Sequence, residues 1–261
     1  GESTGQPAAA RSLWDVTSGT PRPLPQMSVS GYSPDGKILA AFESDFAGET
    51  SRVDLIDVET AAVSRSFRMS KPANHRIYHL DFSPNGNSLL GLLGVPDGAV
   101  DWRLGLWDFA TGRALATLDQ DRYQEGVFSP GGEILANANF QRKGPAKIYL
   151  FDTRERKLRH AIMLDEHGYA YRPVFSPDGK WIAIGTQRYV EGMRTIDPDC
   201  PQARIHLIDV STGIIRETLV APCGPISLAF HPSGTMLASS GYGFVHLWNL
   251  KDPPIGDGIG N

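Results

Sequence analysis

Glycine and lysine in GYSPDGKI, residues 31–38, have the spacing of a loop that cradles phosphate on stacked backbone amides at a helix start. Ile38 stands where such a loop needs Ser or Thr to hold magnesium, and no helical pattern follows, so a nucleotide site is set aside. The seven histidines, at 75, 79, 160, 167, 206, 231 and 246, are scattered, and the one His-x-x-x-His spacing, His75 to His79, has no carboxylate between its histidines. Asp197 and Asp199 carry oxygens of the kind calcium takes, but Pro198 and Pro201 make that stretch read as a rigid acidic loop. No Gly-x-Ser-x-Gly elbow occurs, which leaves Ser-His-Asp catalysis without support. These residues assign no catalytic group, no metal and no cofactor.

The elements that would position such residues come from the whole chain. Its 261 residues are 41% apolar, with 28 Gly and 19 Pro. That length suffices to bury about three-quarters of the extended surface as one domain. With 25 Lys+Arg against 29 Asp+Glu, the net charge of -4 gives no global positive field to hold nucleic acid or an anionic membrane. No apolar run reaches the roughly 18 residues of a membrane span, and GESTGQPAAA, residues 1–10, lacks the basic start and apolar stretch of a signal peptide. Residues 1–10 read as a linker or terminal tail. Opening on Gly, the chain is expected to be processed or a piece of a longer one. A soluble protein follows, cytoplasmic or exported.

Self-similarity dominates the rest. Five segments align: GYSPDGKILAAF, DFSPNGNSLLGLL, VFSPGGEILANA, VFSPDGKWIAIG and AFHPSGTMLASS, with prolines at 34, 84, 130, 177 and 232. Pro presets φ at the second turn position, a polar residue suits the third, and Gly accepts the positive φ that closes the turn. Apolar residues alternate on either side, which is a β-hairpin signature. A second element follows each hairpin: RVDLID to Asp57, RLGLWD to Asp108, KIYLFD to Asp152, RIHLID to Asp209 and FVHLWN to Asn249, with an orphan copy, RSLWD, at Asp15. A turn and a further short strand come next. Four strands per repeat, without a convincing helix, predict an all-β fold, a β-propeller of four-stranded antiparallel blades.

The segments resemble the WD-repeat (Trp-Asp) β-propeller family, as a divergent bacterial-type member, over residues 11–250. The Trp-Asp pair stands at Trp14-Asp15 and Trp107-Asp108, decays elsewhere, and the family's Gly-His dipeptide is missing between blades. The resemblance implies a His, Ser/Thr, Asp and Trp tetrad in each blade. Only Asp101, six residues before Trp107, has the offset for it, with His75 as a poor partner, so blade rigidity is expected to rest on apolar packing. Blades are placed at about 29–68, 77–118, 125–164, 172–219 and 226–250, the last with three strands, after an N-terminal two-strand remnant; residues 251–261 are a tail. The five repeats and the remnant predict a fragment of a ring of six to eight blades.

The second-to-third strand connections at 43–51, 94–102, 139–146 and 187–203 are long, whereas the Pro-Gly turns at the opposite end stay minimal. Repeat proteins put insertions on the binding face. That face carries Phe46, Trp102, Arg103, Arg122, Tyr123, Tyr169, Tyr171, Arg172, Arg188 and Tyr189, residue types that supply contact area with a polar handle. They are the expected partner-binding residues. Cys200 and Cys223 fall on the same face, which leaves two alternatives: a disulfide tying down the longest insertion, contingent on export, or two free thiols. The expected function is a non-catalytic scaffold that binds a protein or peptide, with no nucleic acid and no membrane insertion. The alternative is an enzyme or periplasmic ligand-binding propeller using the channel mouth.

Overall fold

The computed structural model describes residues 12–43, 48–95, 102–118, 126–138, 145–165, 169–187, 203–221, 227–241 and 244–250. Every regular element among them is a strand. The chain divides into two compact units, residues 1–119 and 120–261.

In the first unit, β1 (Ser12–Trp14) and β2 (Pro21–Pro23) form a two-stranded hairpin. Proline supplies no N–H to a ladder, and β2 accordingly pairs with β1 alone. Two four-stranded antiparallel sheets follow. One is β3 (Ser28–Tyr32), β4 (Ile38–Phe42), β5 (Thr50–Asp57) and β6 (Val63–Ser70); the other is β7 (Arg76–Phe82), β8 (Ser88–Gly94), β9 (Trp102–Asp108) and β10 (Ala114–Leu118). In both, strands are ordered as they occur in the chain, as a propeller blade requires.

The second unit opens with the same arrangement in β11 (Val127–Phe128), β12 (Ile134–Ala138), β13 (Ala146–Asp152) and β14 (Lys157–Asp165). Its next sheet departs from the expected four strands. β15 (Tyr169–Ala170) and β16 (Val174–Phe175) both pair with β17 (Trp181–Gln187), which continues to β18 (Ala203–Asp209) and β19 (Ile215–Ala221). The inner strand thus begins at Tyr169, earlier than the repeat pattern places it, and is split where Pro173 withholds an N–H. The last sheet has three strands, β20 (Ser227–Phe230), β21 (Met236–Gly241) and β22 (Phe244–Asn249).

The repeated turns have the chemistry that their residues predict. Gly36, Gly86, Gly132, Gly179 and Gly234 have φ of 70°, 72°, 80°, 72° and 75°. The Ser33 hydroxyl accepts the Ile38 amide at 2.9 Å and donates to Asp35 at 2.6 Å; Ser176 repeats both bonds with Trp181 at 3.0 Å and Asp178 at 2.6 Å. Where His231 replaces the serine, its Nδ1 accepts the Ser233 amide at 3.2 Å, which makes this histidine part of a turn. Successive turns also nest. A Cβ on Gly86 would lie 3.8 Å from Pro34, one on Gly179 would lie 3.4 Å from Pro130, and one on Gly234 would lie 4.0 Å from Pro177.

The aspartates that end the third strands close the next turn. Asp57 Oδ1 accepts the Thr60 amide and hydroxyl at 2.8 and 2.7 Å, and Asp108 does the same with Thr111 at 2.7 and 2.6 Å. Those hydroxyls first, and then the amides, hold both carboxyls below the ordinary carboxylate range. Between sheets the core is aliphatic. Leu55, Leu80, Leu89, Leu93 and Trp107 share one cluster in the first unit, and Ile148, Leu150, Ile182 and Ile184 share one in the second.

Candidate functional site

Antiparallel hairpins alternate ends, so the Pro-Gly turns lie at one end of each sheet and the second-to-third strand connections at the other. Those connections are residues 43–49, 95–101, 139–145 and 188–202, against only 242–243 in the last sheet. In the first unit this end carries an organised group of side chains. Arg76 pairs with Gly94 across β7 and β8, and Gly94 pairs with Trp102 across β8 and β9. The Tyr78 and Trp102 ring centroids are 4.7 Å apart with planes tilted by 50°. The Arg76 guanidinium carbon lies 4.1 Å from the Tyr78 centroid.

Gly94 makes this stack possible, because a Cβ there would come within 2.9 Å of both Trp102 and Tyr78. Cation, phenol and indole are all half-buried, each packed on the next with part of its surface open. Cation–π and tilted ring contacts of this kind are each worth about 0.5–1.5 kcal/mol. They preorder bulky groups, which lowers the entropic cost of docking onto them. Arg103 follows Trp102 in β9 and is also half-buried.

Of the other expected partner residues, Tyr171 donates its hydroxyl to Gln187 Oε1 at 2.7 Å, tying the start of the inner strand to the end of β17. Its amide donates to Gly185 at 2.9 Å, so Tyr171 is part of the sheet edge. Arg172 is exposed beside it, and Tyr169 opens β15. Phe46, Arg122, Tyr123, Arg188 and Tyr189 lie outside the described residues, as do Asp101, Cys200 and Cys223. Sequence reasoning missed Arg76 and Tyr78. The available signal was Gly94, a small residue between a strand and a loop-borne tryptophan.

Three further polar arrangements were not legible beforehand. His79 Nε2 meets Asp81 Oδ2 at 2.7 Å on the inner strand β7, and a Cβ on Gly31 of β3 would lie 2.7 Å from Asp81 Oδ1. His206 is 3% exposed and lies between two hydroxyls, Thr186 at 3.0 Å from Nε2 and Thr218 at 3.1 Å from Nδ1. Burial pushes this imidazole down to about 4, the Arg204 charge adding to the effect and Asp165 opposing it. The third concerns residues weighed for the tetrad. His75 Nδ1 donates to the Ala73 carbonyl at 3.1 Å, and Trp107 donates to the Ser70 carbonyl of β6 at 2.8 Å. It is Trp248, in a sheet not expected to keep any of the tetrad, that donates to a serine hydroxyl, Ser239, at 2.9 Å.

A recurrent latch joins neighbouring sheets within each unit. The outer-strand residue opposite the central Leu of the third strand is Arg22, Arg65 or His160. Arg22 donates to the carbonyls of Val58, at 3.2 Å, and Glu59; Arg65 donates to that of Ala110; His160 Nε2 donates to that of Ser211 at 3.2 Å. Each acceptor lies in the third-to-fourth strand turn of the following sheet.

Comparison with known proteins agrees with this architecture. The family model described as "WD domain, G-beta repeat" matches residues 215–249. No curated protein sequence matches the chain. Among solved structures, Kuenenia stuttgartiensis hydrazine synthase is similar with a TM-score of 0.58 at 19% identity, over 91% of this chain and 76% of that one. The Cps50 (Swd1) β-propeller domain of Myceliophteria thermophila is similar with a TM-score of 0.59 at 18% identity, over 90% of this chain and 70% of that one. No helix among the described residues is long and apolar enough to cross a membrane. Five tandem hairpin repeats, sheets with strands in sequential order and the propeller likeness together give this chain a β-propeller fold, in which residues 215–249 match a WD repeat.

Proposed function

We propose that the chain is a non-catalytic interaction scaffold that takes up a protein or peptide at the loop-bearing ends of its blades. The observation that carries this reading is the Arg76–Tyr78–Trp102 stack, a preordered aromatic and cationic platform flanked by the 95–101 connection and by Arg103. WD-repeat propellers commonly serve as protein-binding platforms, and the minimal turns at the other end leave little there to vary for recognition. Phe46, Arg122, Tyr123, Tyr169, Tyr171, Arg172, Arg188 and Tyr189 are proposed as the wider contact set.

Affinity capture with quantitative mass spectrometry tests the reading. Partners enriched on the wild-type chain should fall at least about tenfold on Trp102→Ala, the loss of one aromatic anchor. Tyr123→Ala and Tyr189→Ala should give smaller losses. Equal recovery on a Trp102→Ala chain with an unchanged circular dichroism spectrum would count against this face.

A further inference from the structure

We propose that Asn85 is a modification site: spontaneous deamidation there, admitted when its turn opens, installs the aspartate that two sibling turns carry in their sequence and tightens the turn. The site lies in the Pro-Gly turn between β7 and β8, at the other end of the sheet from the aromatic platform, and does not depend on it.

Asn85-Gly86 is the one Asn-Gly pair in the sequence, and Asn85 is exposed, as are Pro84 and Asn87. Glycine leaves its own nitrogen unscreened by a side chain. The Gly86 nitrogen, giving up its proton, bonds to Asn85 Cγ, and the side-chain nitrogen leaves as ammonia. Water then opens the five-membered imide. Cleavage between Cγ and the Gly86 nitrogen restores the main chain and leaves an ordinary aspartate. Cleavage at the other carbonyl leaves a main chain that runs through the side chain and is one methylene longer. Both routes convert one amide and one water into one acid and one ammonia.

The sibling turns show what the ordinary product would do. Asp35 Oδ1 accepts the Ser33 hydroxyl at 2.6 Å and the Lys37 amide at 3.1 Å, and Asp178 accepts Ser176 and Lys180 at the same two distances. The serine hydroxyl first, with the lysine amide adding, holds both carboxyls below the ordinary carboxylate range. Asn85 Oδ1 makes the same pair of bonds, to Ser83 at 2.8 Å and to the Asn87 amide at 3.1 Å. The Ser83 hydroxyl is divided, however, and also reaches the Ser88 carbonyl at 3.1 Å. A carboxylate at 85 would draw it to one acceptor, as charge-assisted hydroxyl bonds are shorter and stronger.

The closed turn withholds both reacting groups. The Gly86 amide donates to the Ser83 carbonyl at 2.8 Å, while Oδ1 is fixed by its two donors. Ring closure therefore waits for the turn to open. The lengthened product could not return to it, because Gly86 has a φ of 72° and sits beside Pro34 of the neighbouring turn.

The test ages the full chain in mildly alkaline buffer and follows it by peptide mapping, with isoaspartyl methyltransferase labelling to count the lengthened product. Asn85 should convert ahead of Asn74, Asn87 and Asn137. Ser83→Ala removes a donor from Oδ1 and should speed conversion about threefold to tenfold, the range for losing one hydrogen bond. Asn85→Asp keeps the turn and should raise the thermal midpoint by about 2 °C. Another of these asparagines converting first would overturn the site. Conversion unchanged or slower in a Ser83→Ala chain that keeps the wild-type circular dichroism spectrum would overturn the gating, and a lower midpoint for Asn85→Asp would overturn the tightening.

Discussion

Gly105→Ala will lose about 3 kcal/mol of stability, although it adds one methyl group to a strand. A Cβ at this position would sit 2.0 Å from Trp107 Cη2 and 2.6 Å from both Cζ2 and Cζ3. Gly91, its partner across β8 and β9, would meet the same ring at 2.8 Å, so two glycines form a flat bed beneath the indole. Trp107 is 2% exposed, and its Nε1 donates to Ser70 at 2.8 Å, so it cannot move aside without opening the core and breaking that bond. Trp107→Ala should itself cost about 3–5 kcal/mol. With the indole gone, Ala at 105 becomes neutral or slightly favourable, because Gly weakens a strand by about 0.5–1 kcal/mol. Urea unfolding of the two single variants and the double variant measures this coupling. A Gly105→Ala chain within about 0.5 kcal/mol of wild type would disprove the bed.

Acid should weaken the second unit well before carboxylates titrate. His206 titrates near 4 in the folded chain, below its ordinary value of 6.5, so on acidification the unfolded chain takes up this proton first. The stability contributed by the neutral imidazole is complete above pH 6.5 and is lost as pH falls towards 4. A shift of this size corresponds to about 3 kcal/mol. Denaturant midpoints measured from pH 7.5 to 4.5 should therefore fall steadily in the wild type. A chain with Thr186→Val, His206→Leu and Thr218→Val replaces the whole polar set by apolar groups and should show a flatter profile over that window. Asp57 and Asp108, held below the carboxylate range, lose their contribution only at lower pH, so the two phases separate. Parallel profiles for the two chains would show that His206 is not the titrating group.

Much of the fold was readable because the repeats encode local chemistry. Ser33, Asp35 and Gly36 need only their own backbone to close a turn, and Asp57 and Asp108 need only the next three residues. Long connections between second and third strands follow from the same spacing. What escaped reading depends on residues far apart in the chain. Tyr78 and Trp102 meet only once β7, β8 and β9 are paired, and Arg65 finds Ala110 only when two sheets are packed. His206 looked like any strand histidine until Thr186 and Thr218 came alongside it from both neighbours. The split inner strand at Pro173 was missed because β15 is only two residues long, Tyr169–Ala170, too short to show alternation.

The nested Pro-Gly turns bear on how such a chain diversifies. Within each unit they bring adjacent sheets close together at one rim, with Pro34 beside Gly86 and Pro177 beside Gly234. Sequence at the other rim is thereby released from structural duty, and new specificities can be written there by insertion and deletion while the supporting rim keeps its geometry.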